Sequence, residues 1–228
     1  MNASLLPKSL PSTFGKLGVI HTIRIDGTAK YIEDWLEFKT SLKFRHFIIS
    51  DWTFPPYMPP NLDTPEFFNH FLSLTMVRCI DMGLWPFRVM LFNHVHIEES
   101  VMHRGVEVYT FIHNYFLHKG LETLAMIRCG IEFVQFELLY RAPNLKVLNL
   151  QGNKMKFFLP ARIFEAQFTK LWHLNLRESI FTNTLVVKDF FPFLKELDLR
   201  DNQLSEIRYS DFLVSWDSLQ TLHLSGKP

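Results

Sequence analysis

His94, His96 and Glu98 alternate in the stretch HVHIE, where two imidazoles and a carboxylate could hold a metal ion. On an extended strand alternate side chains share one face, and zinc accepts nitrogen and oxygen donors of these types. Three ligands from one strand also need neighbours that orient each imidazole, so the favoured reading is a solvated strand face and no metal is assigned. Histidine offers a second chemistry, because it alone titrates near pH 6.5 when unperturbed. Ten are present, and a group of them could gate a ligand by pH; ordinary polar surface is the plainer alternative. Cys79 and Cys129 could be nucleophiles, but a reactive thiolate needs an electropositive, open setting. The chain has no G-x-S-x-G, P-loop or H-E-x-x-H motif and no paired-carboxylate signature. It is expected to be a non-enzymatic protein without a cofactor.

A recurring frame positions these residues. LKELDLRDNQLSEI, residues 194–207, has leucine at its first, fourth, sixth and eleventh places and asparagine at the ninth. Period two gives way to a turn within a few residues, which marks a repeat unit rather than one long strand or helix. LKVLNLQGNKM puts Leu145, Leu148, Leu150, Asn153 and Met155 in the same places, and LWHLNLRESIF does so with Leu171, Leu174, Leu176, Ser179 and Phe181. Extended both ways, the frame gives nine units, opening at Ile20, Phe44, Phe71, Phe92, Leu121, Leu145, Leu171, Leu194 and Leu219, with starts 21 to 29 residues apart. Every fourth and sixth place is apolar.

The ninth places hold Thr28, Trp52, Cys79, Ser100, Cys129, Asn153, Ser179, Asn202 and Lys227. Only Trp52 and Lys227 are not small hydrogen-bonding groups. The need for such groups follows from an inward turn after the strand, which buries backbone N–H and C=O groups that must find partners. Cys79, Cys129, Asn153, Ser179 and Asn202 are therefore read as a structural ladder. The two cysteines stand at equivalent places two units apart; strands about 4.8 Å apart would separate them by roughly 10 Å, beyond the ~7 Å between Cα atoms that a disulfide spans. Free, buried thiols are expected.

This frame resembles the leucine-rich repeat, a unit of about 20 to 29 residues with the pattern L-x-x-L-x-L-x-x-N/C-x-L. With Ile207 and Phe212 added, the unit from Leu194 looks like the repeats of Toll and Toll-like receptor ectodomains; FFLPARIF (157–164) and VKDFFPF (187–193) supply aromatics at the corresponding stretch. The resemblance implies an α/β fold: a leucine-rich-repeat solenoid with a curved parallel sheet on the concave face and loops or short helices on the convex face. Residues 1–19 are an irregular N-terminal segment, and residues 20–228 form the repeat domain. Its last unit is truncated, as expected of a fragment. The chain departs from a whole receptor in lacking cysteine-rich caps, a membrane helix and a signalling domain, and its single glycosylation sequon is at Asn2. The resemblance implies ligand recognition in innate immune sensing and pairing with a second receptor chain. The alternative is an intracellular repeat scaffold that docks a partner protein.

Third, fifth and seventh places should face outward on the concave side while the leucines face in. That face includes Thr22, Arg24 and Asp26; His94, His96 and Glu98; His173, Asn175 and Arg177; and Glu196, Asp198 and Arg200, with His46 and His223 beside them. Mixed charge and abundant hydrogen-bonding groups suit a protein, peptide or glycan ligand better than a lipid. A net charge of +1 gives no blanket attraction to nucleic acid or membrane. No apolar run approaches the roughly 20 residues that span a bilayer, and the first residues do not read as a signal peptide. The expected location is extracellular, as a receptor ectodomain, or cytoplasmic under the scaffold reading. WTFPPYMPP (52–60) reads as a rigid loop and Pro65 as a helix start. The longest gap, Phe92 to Leu121, could bulge into a second surface.

Overall fold

The computed structural model describes residues 22–27, 45–53, 72–80, 92–100, 119–132, 142–155, 170–182, 191–206 and 217–225. The chain divides into two compact units, 1–106 and 107–228. In the first, β1 (Thr22–Asp26), β2 (His46–Ser50), β3 (Ser73–Val77) and β4 (His94–Glu98) run parallel in chain order. In the second, β5 (Thr123–Ile127), β6 (Val147–Asn149), β7 (His173–Asn175), β8 (Glu196–Asp198) and β9 (Thr221–His223) do the same. Each unit is a parallel β-solenoid built of one strand per repeat. Among the described residues there is no helix. The expected convex loops or short helices, the Pro65 helix start, most of the proline-rich loop and the aromatic stretch 157–164 lie outside the described residues. No helix among those described is long and apolar enough to cross a membrane.

Every strand begins at the third place of its frame, and like places pair across strands. Phe47 stands beside Leu74 and Leu74 beside Val95; Leu124, Leu148, Leu174, Leu197 and Leu222 stand in one row. This register follows from period-two side-chain alternation, since a slip of one residue would turn the leucines to solvent. Fourth and sixth places from β2 to β8, and first places from Phe92 to Leu194, form the core, with Leu171 and Leu174 fully buried, whereas Leu224 in the last repeat is 39% exposed. Each such leucine contributes about 1.5–3 kcal/mol through burial. Two repeats enter their strands through tight turns, Leu145 N–H donating to Ala142 C=O (3.0 Å) and Leu194 N–H to Phe191 C=O (3.3 Å).

Strict alternation would put the ninth place on the open face with the third, fifth and seventh. Instead Cys79, Ser100 and Asn153 are 0 to 2% exposed. The residue before each accounts for this reversal. Asp51, Arg78, Glu99, Arg128, Glu178 and Asp201 have φ between 48° and 57°, and Gly152 has 71°. All seven occupy the eighth place. Left-handed backbone costs a non-glycine residue about 1–2 kcal/mol, and here it turns the chain into the core.

The inward turn is held by the ladder. Asn153 Oδ1 accepts from Cys129 N–H (3.0 Å) and Ile131 N–H (3.0 Å), while its Nδ2 donates to Met126 C=O and Leu150 C=O (both 2.7 Å). Asn202 repeats the pattern, donating to Leu176 C=O and Leu199 C=O (both 2.9 Å) and accepting from Phe181 N–H (3.2 Å). Ser100 Oγ accepts from Cys79 N–H at 3.0 Å and donates to Glu98 C=O at 2.8 Å. Between the two asparagines, Ser179 Oγ is buried without a hydrogen-bond partner among the described residues. A serine is too short to reach the neighbouring repeat's carbonyl there.

Two substitutions test the ladder. Asn153→Ala leaves four buried backbone groups without their partner and should cost about 3 kcal/mol or more. Ser179→Asn restores the longer reach and should stabilise by about 1 kcal/mol. Urea unfolding followed by circular dichroism measures both; an Asn153→Ala midpoint equal to that of the parent protein would remove the ladder from its structural role.

Candidate functional site

The residues expected to face a ligand fall into one set in each unit. On β4, His94, His96 and Glu98 are half-buried on the open side, while Val95 and Ile97 are sealed behind them. His96 Nε2 lies 3.3 Å from Glu98 Oε2, so two of the three candidate ligands satisfy each other along the strand. On the neighbouring pair of strands, His46 Nδ1 lies 2.7 Å from Ser73 Oγ. Among the described residues no three His, Cys, Asp or Glu side chains converge in a way that could hold a metal ion.

In the second unit, parallel register brings together residues far apart in the chain. Glu196 on β8 has His173 of β7 on one side, Nδ1 to Oε2 2.9 Å, and His223 of β9 on the other, Nε2 to Oε1 3.8 Å. One carboxylate thus stands between imidazoles from both adjacent strands. All three side chains are half-buried above a core of buried leucines. Alternation puts each on the open face, but only the register makes them neighbours.

The fifth places of β6, β7 and β8 have a local duty as well. Asn149 Oδ1 accepts from Gln151 N–H (3.0 Å), Asn175 Oδ1 from Arg177 N–H (3.0 Å) and Asp198 Oδ1 from Arg200 N–H (3.1 Å). A short Asn or Asp side chain that captures the amide two residues on competes with the sheet ladder, and these strands stop at three residues where β1 to β5 run for five. Asn175 and Asp198, expected only as ligand contacts, also hold the backbone two residues on, although β9 stops at three residues with His223 at that place. The signal was in the sequence: Asn or Asp recurs at the fifth place in these three repeats.

Asp198 is 4% exposed, so its carboxylate faces Arg200 more than solvent. Both its oxygens accept from the guanidinium, Nη2 to Oδ2 being 2.6 Å. Burial works against its charged form, but the side-chain and backbone hydrogen bonds of Arg200, with the nearby charges of Arg200 and His223, outweigh it and hold the carboxyl below the usual range. Arg177 reaches the other way, its Nε lying 2.8 Å from Asp201 Oδ2 and 3.2 Å from Glu178 Oε1. In the first unit, Arg78 and Asp51 form a solvent-exposed fork at 2.5 and 2.8 Å. Arg78 also holds the Asp51 carboxyl low.

Both cysteines are buried and free. Burial pushes the Cys79 thiol up, outweighing the backbone hydrogen bonds at Trp52 and Val77 that favour the thiolate, so it stays protonated at neutral pH. Iodoacetamide at pH 7.5 should modify it slowly in the folded protein and rapidly in denaturant; equal rates would contradict a buried ladder thiol. Asp198 supplies a pH test. Its lowered value makes the stability from the Arg200 pair fully present above the unfolded carboxyl value of about 4, and lost as pH falls through the folded value. Asp198→Asn should therefore be less stable than the parent at pH 6, by a gap that narrows as pH is lowered below about 4, read by urea unfolding. A gap unchanged by pH would mean that the carboxylate's charge contributes nothing.

No protein-family model, curated protein or solved structure matches the chain.

Proposed function

We propose that the chain is a non-catalytic recognition module of the leucine-rich-repeat type, whose strand face takes a protein, peptide or glycan ligand. The observation that carries this reading is the Glu196 cluster, in which side chains from three consecutive repeats meet over a sealed leucine layer. Such a surface offers donors and acceptors of both charges in fixed positions, which lowers the ordering cost of binding. The inward turn and the asparagine ladder support the repeat class, because they explain physically why the ninth place is asparagine, serine or cysteine. The frame at residues 194–204 supports a place in a Toll-like receptor ectodomain, contributing to innate immune sensing with a second receptor chain as pairing partner. The intracellular scaffold is the second reading. It is favoured by Cys79 and Cys129 not forming a disulfide, since extracellular repeat proteins commonly oxidise their cysteines.

Peptide and glycan arrays probed with the parent protein, with His173→Ala/Glu196→Gln and with His94→Ala/His96→Ala test the reading. A ligand held by the strand face should lose about tenfold or more in affinity with one of the two variants. Binding that survives both moves the site off the face. Sequencing the native transcript separates the two settings: a membrane span and signalling domain support the receptor, and a capped repeat domain alone supports the scaffold.

A further inference from the structure

Trp172 and Phe193 are 41% and 55% exposed, at places where the repeat has no need of an aromatic. Trp172 is a second-place residue; the other repeats of its unit have Glu122, Lys146, Lys195 and Gln220 there. Phe193 precedes a first place, where its counterparts are Gly120, Asn144, Lys170 and Ser218. These two columns run along the edge where the chain enters the strands. Trp172 N–H donates to Lys146 C=O at 3.0 Å and Lys195 N–H donates to Trp172 C=O at 2.8 Å, so the indole is flanked by a lysine on each side. Lys146 Nζ lies 2.9 Å from Glu122 Oε2, and Lys170 Nζ contacts Asn144 Oδ1. Among the described residues neither Lys170 nor Lys195 is paired with a carboxylate. The Trp172 ring meets His173 edge-on, centroids 5.6 Å apart, and His173 is itself held by Glu196 at 2.9 Å. The indole is thus braced rather than loose.

We propose that this rim, Trp172 and Phe193 framed by Lys146, Lys170 and Lys195, docks an acidic segment of a partner protein that carries an apolar side chain. Charge complementarity argues for the acidic part, because among the described residues of this edge Lys146, Lys170 and Lys195 outnumber the carboxylates Glu122 and Asp217. The aromatic pair argues for the apolar part: a braced, partly exposed tryptophan is the residue type that dominates interface energetics. Aromatics with cations also suit single-stranded nucleic acid. A polyanion running from the rim across the strand face would meet Glu196, Glu178 and Asp201, whereas a short acidic segment confined to the rim avoids them. The inference goes beyond the proposed strand-face site and holds whether or not that face binds a ligand.

The test is fluorescence anisotropy of a labelled twelve-residue Asp/Glu peptide with one central leucine, titrated with the full chain. Comparison probes are the same peptide with Asn/Gln in place of Asp/Glu and an oligothymidylate of equal length. The acidic peptide should bind best. Lys146→Glu/Lys195→Glu, Trp172→Gln and Phe193→Ser should each weaken it about tenfold, while Lys154→Ala leaves it unchanged. Glutamine and serine already stand at these places in the last repeat, so the variants should keep the fold, as thermal unfolding will verify. Undetectable binding of the acidic peptide, equal binding of the neutral one, tighter binding of the oligonucleotide, or indifference to Trp172→Gln would each overturn the proposal. The His94→Ala/His96→Ala variant on β4 of the other unit reports separately on the proposed ligand site.

Discussion

Backbone groups carried into the core by the inward turn must be hydrogen-bonded there, and the rest of the structure follows from that constraint. A strand alone would leave its ninth residue in solvent. Left-handed backbone at the eighth place reverses this, and six of the seven residues that adopt it are charged side chains bearing an unfavourable φ. What offsets the strain is the partner the turn finds, as when Asn153 bonds to two amides and two carbonyls spread over adjacent repeats. At Ser100, Asn153 and Asn202 the ladder joins a repeat to the one before it, so these repeats do not complete their hydrogen bonding alone. Stability is then held between neighbours, as in other one-dimensional arrays.

That arrangement decides which positions are free to evolve a function. First, fourth and sixth places are occupied by packing and the ninth by the ladder. The fifth place is only partly free, because Asn149, Asn175 and Asp198 each bond the amide two residues on. Third places carry no such duty, and threonine, valine, histidine, glutamate and threonine follow one another there from β5 to β9. His173 and Glu196 are third-place residues whose side chains, among the described residues, pair with each other and with His223. The same reasoning marks the rim, where Trp172 and Phe193 occupy places that polar residues fill elsewhere.

Much of this was legible in the sequence, and the reasons are particular. The leucines recur because burial acts on every repeat alike, so strand position and register could be read from Phe71 to Leu219 without coordinates, while those of the first two repeats came from the pairing of β1 and β2. The ninth-place groups could be read because only short hydrogen-bonding side chains fit an inward turn. The eighth place escaped notice because left-handed backbone leaves little mark when the residue is aspartate, glutamate or arginine; Gly27 and Gly152 were the only hints. Asp198 looked like a ligand contact because alternation predicts direction and not what the side chain meets there. Its burial and its bond to Arg200 are set by the turn that follows.

The sequence by itself determined the repeat: its period, its apolar core, its polar ladder and the face on which each side chain emerges. Those properties are local, set by alternation and by burial within one unit. Only the tertiary structure decided which residues meet across repeats. Glu196 lies between His173 and His223, Asn153 reaches Met126, and Lys146 and Lys195 flank Trp172 because parallel pairing brings together positions separated by more than twenty residues in the chain. Spacing along a chain fixes the direction of a side chain, whereas its partners depend on how neighbouring turns are stacked.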